Sequence, residues 1–156
     1  MRPAGQEEIA LFALMGQALL NIQVLEECLS VSITLKIDVG YPRKITKAEA
    51  ECILKKRKKF TLGDAIKEAQ ENKLYPDTLQ KDLGSFRHER NWLAHRCIDE
   101  FYMPERRKLF VERLKHVAST SYRLQRMIEN DLIEFSEANG GDMSAVRAVI
   151  EQYSHI

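Results

Sequence analysis

Residues 79–97 read LQKDLGSFRHERNWLAHRC. Leu79, Leu83, Phe86, Leu93 and Cys97 recur at three- and four-residue spacing, the apolar stripe of an amphipathic helix. Arg90 takes the next position of that stripe, where leucine would be expected. A guanidinium stays charged at any ordinary pH, so a core-facing row holds one only with a partner or a purpose. Glu26 or Glu27 of the first helix would supply a carboxylate partner; a bound phosphate would supply a purpose.

Helical patterning extends both ways from this stretch. A long first helix is predicted over about 6–36, with Ile9, Phe12, Leu19, Ile22, Leu25, Leu29 and Ile33 apolar on more than one face. Such a helix is central, or shared with a second subunit. Gly40-Tyr41-Pro42 marks a loop, and a shorter helix over about 47–58 ends in the basic run Lys55-Lys56-Arg57-Lys58-Lys59. Thr61-Leu62-Gly63-Asp64 reads as an N-cap with an acidic third residue, opening a helix to about 72. Tyr75-Pro76-Asp77 opens the fourth helix, expected to fade near Asp99 with Pro76 in its first turn. The fifth spans about 104–138 until Asn139-Gly140-Gly141 stops it, and a short amphipathic helix follows over about 144–153. The expectation is an all-α antiparallel helical bundle, with 1–156 as one domain.

Composition fits a globular chain: 156 residues, 44% hydrophobic and 30% charged, with a net charge of +1 from 24 basic and 23 acidic residues. Any affinity for nucleic acid must come from local patches. Cys28, Cys52 and Cys97 show no metal-ligand or redox spacing and read as small buried groups in a reducing cytosol. The run 9–20 is nearly all apolar, but Gln17 interrupts it and it falls short of the roughly 20 residues of a bilayer span. It lacks the basic flank and cleavage site of a signal peptide. The expectation is a buried helix in a cytoplasmic protein with no membrane partner.

The motif has a chemistry. Asn91 and His95 are four residues apart on one helix face, which Gly84 shares. Arg90 points about 140° away from His95 on an ideal helix, so the two meet only in a groove between helices. RNA cleavage by its own 2′-hydroxyl needs a base, an acid for the leaving 5′-oxygen, and positive charge on the phosphorane. Histidine serves as base or acid, and arginine grips phosphate through two parallel bonds. No carboxylate cluster with metal-ligand spacing is evident, so the preferred route uses no metal. One motif carries one histidine for two proton transfers, which a symmetric dimer would double. Arg87 and Arg96 flank the motif as candidate backbone contacts. Lys55 to Lys59 reads as solvated helix-end charge, His88 as a surface residue, and Trp92 as an interface anchor.

Arg90-Asn91-Trp92-Leu93-Ala94-His95 resembles the Arg-polar-x3-His signature of HEPN domains, all-helical modules of this length with the motif late in a long helix. The helix start at Thr61-Leu62-Gly63 is similar to that of bacterial members. The resemblance implies a metal-independent endoribonuclease without cofactor, acting on RNA as a homodimer with a composite site at the dimer interface. Arg90 and His95 would be catalytic and Asn91 their polar supporter. It also implies a toxin or antiphage effector restrained by an antitoxin or regulatory protein. A large toxin group carries tyrosine two residues after the motif histidine, where this chain has Cys97. The alternatives are a non-catalytic HEPN-like module that binds nucleotide, RNA or protein, and a helical interaction protein in which Arg90 is structural.

Overall fold

α1 (Gln6–Ile33) starts where the Gly5 N–H donates to the Glu8 carboxylate at 2.9 Å, and its first turn carries Glu7 and Glu8. It does not run on as an α-helix to Lys36. A π-turn covers Thr34–Val39 and closes at Gly40, whose φ of 61° suits a residue without a side chain. α2 (Lys47–Arg57) and α3 (Leu62–Glu71) each open on a reciprocal cap, Thr46 with Glu49 and Thr61 with Asp64. α4 (Asp77–His95) begins after Pro76, which caps the helix from outside its first turn. A short α5 (Cys97–Phe101) and a 3-10 turn (Pro104–Arg106) lead into α6 (Arg107–Ala138), and α7 (Ser144–Tyr153) ends the described chain. This computed structural model describes residues 3–153; it is 82% helix, with no strand among the described residues.

The fourth helix breaks earlier than Asp99. Arg96 leaves the helical region at φ −128°, although its N–H still reaches the Trp92 carbonyl at 2.8 Å. The break keeps Cys97 buried and turns Phe101 into the core, 6.1 Å from the Phe110 ring and stacked on Phe12 at 5.5 Å. Trp92 is likewise internal: its Nε1 donates to Glu100 Oε1 at 3.1 Å, and the Arg113 guanidinium lies 4.0 Å from its ring centre. It is buried in the core of its own chain, where the sequence alone suggests an interface anchor.

Side-chain pairs fix the helix directions. Glu7 faces Arg107, Asn21 donates to the Ala118 carbonyl at 3.0 Å, and Lys36 bonds Asp131, so α1 and α6 run the same way. Glu89 with Arg113 and Asp82 with Arg123 set α4 antiparallel to α6. The core lies between these three helices and α3, built on Leu25, Leu29, Ile33, Leu83, Phe110, Leu114 and Ile128.

Two expectations about α1 and α2 are corrected. The run 9–20 is not a buried helix: Ile9, Phe12, Leu19 and Leu20 are exposed, as is Val24, while Leu11 and Ala18 are buried. By length and composition Gln6–Val39 is apolar enough to cross a membrane, and 22% of its most apolar stretch is buried. The basic run at the end of α2 is not all solvated either. Arg57 is 7% exposed and donates to Thr34 at 2.8 Å, Asp38 at 2.7 Å and Glu68 at 2.7 and 3.2 Å, while Lys58 bonds Glu27 at 2.6 Å.

The three thiols also differ. Cys97 is buried and Cys28 half-buried, but Cys52 is exposed, against the expectation for all three. Burial, with Glu129 and Glu27 nearby, pushes the Cys28 thiol up to about 12. Since the thiolate is the nucleophile, iodoacetamide at pH 8 should modify Cys52 well before Cys28 or Cys97, as peptide mass spectrometry over time would read. Equal labelling of the three would refute this assignment.

Candidate functional site

Gly84, Arg87, Asn91 and His95 follow one another along α4 by three, four and four residues, which sets them on one face. The first turn of α3 stands opposite. There the Asp64 N–H donates to Thr61 Oγ1 at 3.2 Å, and Asp64 Oδ2 accepts from the Thr61 hydroxyl at 2.7 Å and its N–H at 3.1 Å. The hydroxyl bond foremost, and then the backbone bond, hold the Asp64 carboxyl below the usual range. α3 buries Leu62, Ala65, Ile66 and Ala69, and Gln80 of α4 donates to the Ile66 carbonyl at 3.0 Å. The two helices enclose a groove of about 630 Å3, lined by Thr61, Gly63, Asp64, Lys67, Arg87, Arg90, Asn91 and His95 among others.

Arg90 has the carboxylate partner anticipated for it. Its Nε donates to Glu26 Oε1 at 3.1 Å, with both side chains about a quarter exposed. The terminal nitrogens Nη1 and Nη2 make no hydrogen bond among the described residues. Glu26 therefore holds the stem of the guanidinium and leaves its fork unengaged on the groove wall. The bond to α1, off to the side of α4, also explains how Arg90 joins a groove that its helical angle alone would turn it from.

Gly63 sets the position of a second guanidinium. A Cβ there would stand 3.2 Å from Arg87 Cδ, so its absence lets Arg87 lie across the start of α3. Gly84, by contrast, has open space where a Cβ would stand, with no other atom within 4 Å, and simply leaves room in the groove. Among the lining residues Lys67, Arg87 and Arg90 oppose the carboxylate of Asp64, while outside the lining Glu26 bonds Arg90 and Glu71 lies 3.8 Å from Lys67; the N-terminus of α3 adds to the positive field. Asn91 and His95 are exposed, and neither makes a side-chain hydrogen bond or ion pair among the described residues.

Chemically, the groove sets three cations beside an imidazole that has no side-chain partner among the described residues. Two guanidinia and an ammonium can meet phosphate oxygens, the Asn91 amide can donate to another, and His95 can give or take a proton. It holds one histidine: His88 and His116 are exposed and outside the lining. Of the five residues anticipated from the sequence, Arg87, Arg90, Asn91 and His95 come together, while Arg96 caps α4 and lies outside the groove. Lys67 was not anticipated. Its signal was its place one turn after Gly63 and Asp64, on the side of α3 away from Ala65, Ile66 and Ala69. Among the described residues, no group of three or more His, Cys, Asp and Glu is placed to hold a metal ion. Compared with known proteins, the chain matches no family model, no curated protein and no solved structure.

Proposed function

We propose that the chain is a HEPN-type endoribonuclease that works without a metal and as a homodimer. The observation that carries the proposal is the convergence of Arg90, Asn91 and His95 on one cationic groove, with the fork of Arg90 unengaged. In the reaction, the RNA 2′-oxygen bonds to phosphorus and the bond to the 5′-oxygen breaks. One histidine accepts the 2′-hydroxyl proton and another protonates the leaving oxygen, while Arg90 meets the negative charge gathering on the phosphorane. Arg87 and Lys67 hold the neighbouring backbone. The biological setting we infer is a cytoplasmic toxin or antiphage effector, held in check by an antitoxin or regulatory protein.

Since one groove supplies one histidine, two copies are needed. The exposed side of α1 supports that: Ile9, Phe12, Leu20 and Val24 form an apolar face free of charged residues, of the kind oligomers cover. Light scattering should give twice the chain mass for the wild type and the single mass for Leu20→Asp, and Leu20→Asp should lose cleavage. A monomeric wild type, or recovery of the chain with membranes, would overturn the dimer. The direct test of activity is cleavage of mixed RNA by purified protein in EDTA.

A second reading has its own observation. With one histidine per groove, two grooves that do not meet would leave the same cations to bind RNA or a nucleotide without turnover. Binding of labelled RNA by a protein that never cleaves it would favour that module.

A further inference from the structure

At the end of α1 lies a second hollow of about 460 Å3, which shares no lining residue with the His95 groove. Its walls are Val31, Leu35, Leu54 and Phe135, contributed by the end of α1, the π-turn, α2 and the end of α6. An apolar hollow of this size is within the range of small-ligand sites. Left to itself, such a space would be closed by side chains settling into it. Here polar ties fix the walls relative to one another. Arg57 bonds Thr34 and Asp38 of the π-turn from α2, and Lys36 ties the same turn to Asp131 of α6 and to the Leu74 carbonyl at 3.0 Å. The hollow is a property of the folded frame.

Its mouth is charged. Arg43 and Lys47 line it, against the one carboxylate of Glu51. Arg43 uses Nε on the Ile45 carbonyl at 2.8 Å and leaves its two terminal nitrogens without a bond among the described residues. Lys47 is 85% exposed and reaches Glu51 only at 3.8 Å, a contact too long and too wet to neutralise it.

We propose that this hollow binds a small amphipathic anion, with an alkyl or aryl body against Val31, Leu35, Leu54 and Phe135 and its anionic head between Arg43 and Lys47. The apolar walls recognise the body by excluding water from it, and the head replaces water at two unneutralised cations. A neutral molecule would forgo the second term, and a cationic one would meet repulsion. This inference is independent of the ribonuclease reading, because no residue of the His95 groove takes part.

Isothermal titration of the full chain with decanoate tests it. The expected result is one saturable site per chain, with decanol binding at least about tenfold more weakly, as befits the loss of a charge-assisted contact. Arg43→Glu combined with Lys47→Glu, both at the surface, should weaken decanoate by a similar or larger factor. Ala50→Phe, which puts a ring into the hollow, should abolish binding while circular dichroism shows a folded helix bundle. Absence of saturable binding overturns the proposal. So does decanoate binding that Ala50→Phe leaves intact, which would locate it elsewhere, for instance on the open face of α1. Equal affinity for decanol would overturn the assignment of the charged mouth.

Discussion

His95→Ala should lower RNA cleavage by about 10²–10⁴-fold, the usual contribution of a positioned acid or base, and leave the melting curve almost where it was. Both halves follow from the placement of the ring. His95 lines the groove but is exposed, so its removal opens no cavity and strands no partner. Surface substitutions of that kind change stability by no more than about 0.5 kcal/mol. Thermal melts and cleavage in EDTA, measured on the same preparation, therefore separate chemistry from folding. Retained cleavage would remove His95 from the mechanism and with it the proposed reaction. A cleaving wild type whose mutant still binds labelled RNA would assign the ring to proton transfer alone.

The largest loss of stability is expected from Arg57→Ala. The guanidinium is 7% exposed, and the carboxylates of Asp38 and Glu68 that it serves are roughly a quarter exposed. Removing the cation leaves two half-buried negative charges and the Thr34 hydroxyl without their donor. Breaking a buried pair costs about 3–5 kcal/mol, and the partial wetting of the carboxylates favours the lower end. At about 2–4 °C per kcal/mol for a chain of this size, Tm should fall by about 6–12 °C. Arg57→Lys should lose less, since an ammonium keeps the charge but cannot fork between Asp38 and Glu68. A melting point within about 2 °C of wild type for Arg57→Ala would mean that solvent replaces the cluster at little cost. The same variant should weaken decanoate binding, because Arg57 braces one wall of that hollow.

The helices were legible in the sequence because their signals are local. The Thr61 cap, the stop after Ala138 and the apolar stripes of α4 and α6 each lie within a few turns. The break at Arg96 was not, because Cys97 continues the stripe and stays buried on both accounts; the reason for the turn is Phe101, which has to reach Phe110. Arg57 hid in a run of lysines, although it follows Ile53 and Leu54 by four and three residues and so shares their inward face. For Trp92, core and interface make the same pattern in one dimension, and only Glu100 and Arg113 tell them apart. At the candidate site the sequence supplied the α4 face, and the Glu26 tether was one of two carboxylates it offered. The opposing wall of α3 required knowing which helix packs on which.

The parallel pairing of α1 with α6 has a consequence for how the chain is made. Asn21 meets Ala118 across 97 positions of sequence, and Lys36 meets Asp131 across 95. At the about 5–20 residues per second of a working ribosome, α1 waits on the order of 5–20 s for the helix that covers its inner face. During that interval the inner face of α1 meets only α2, α3 and α4 and lacks its main cover. Slower synthesis of the stretch between α4 and Asp131 should therefore lengthen the exposure of that face to association with other chains.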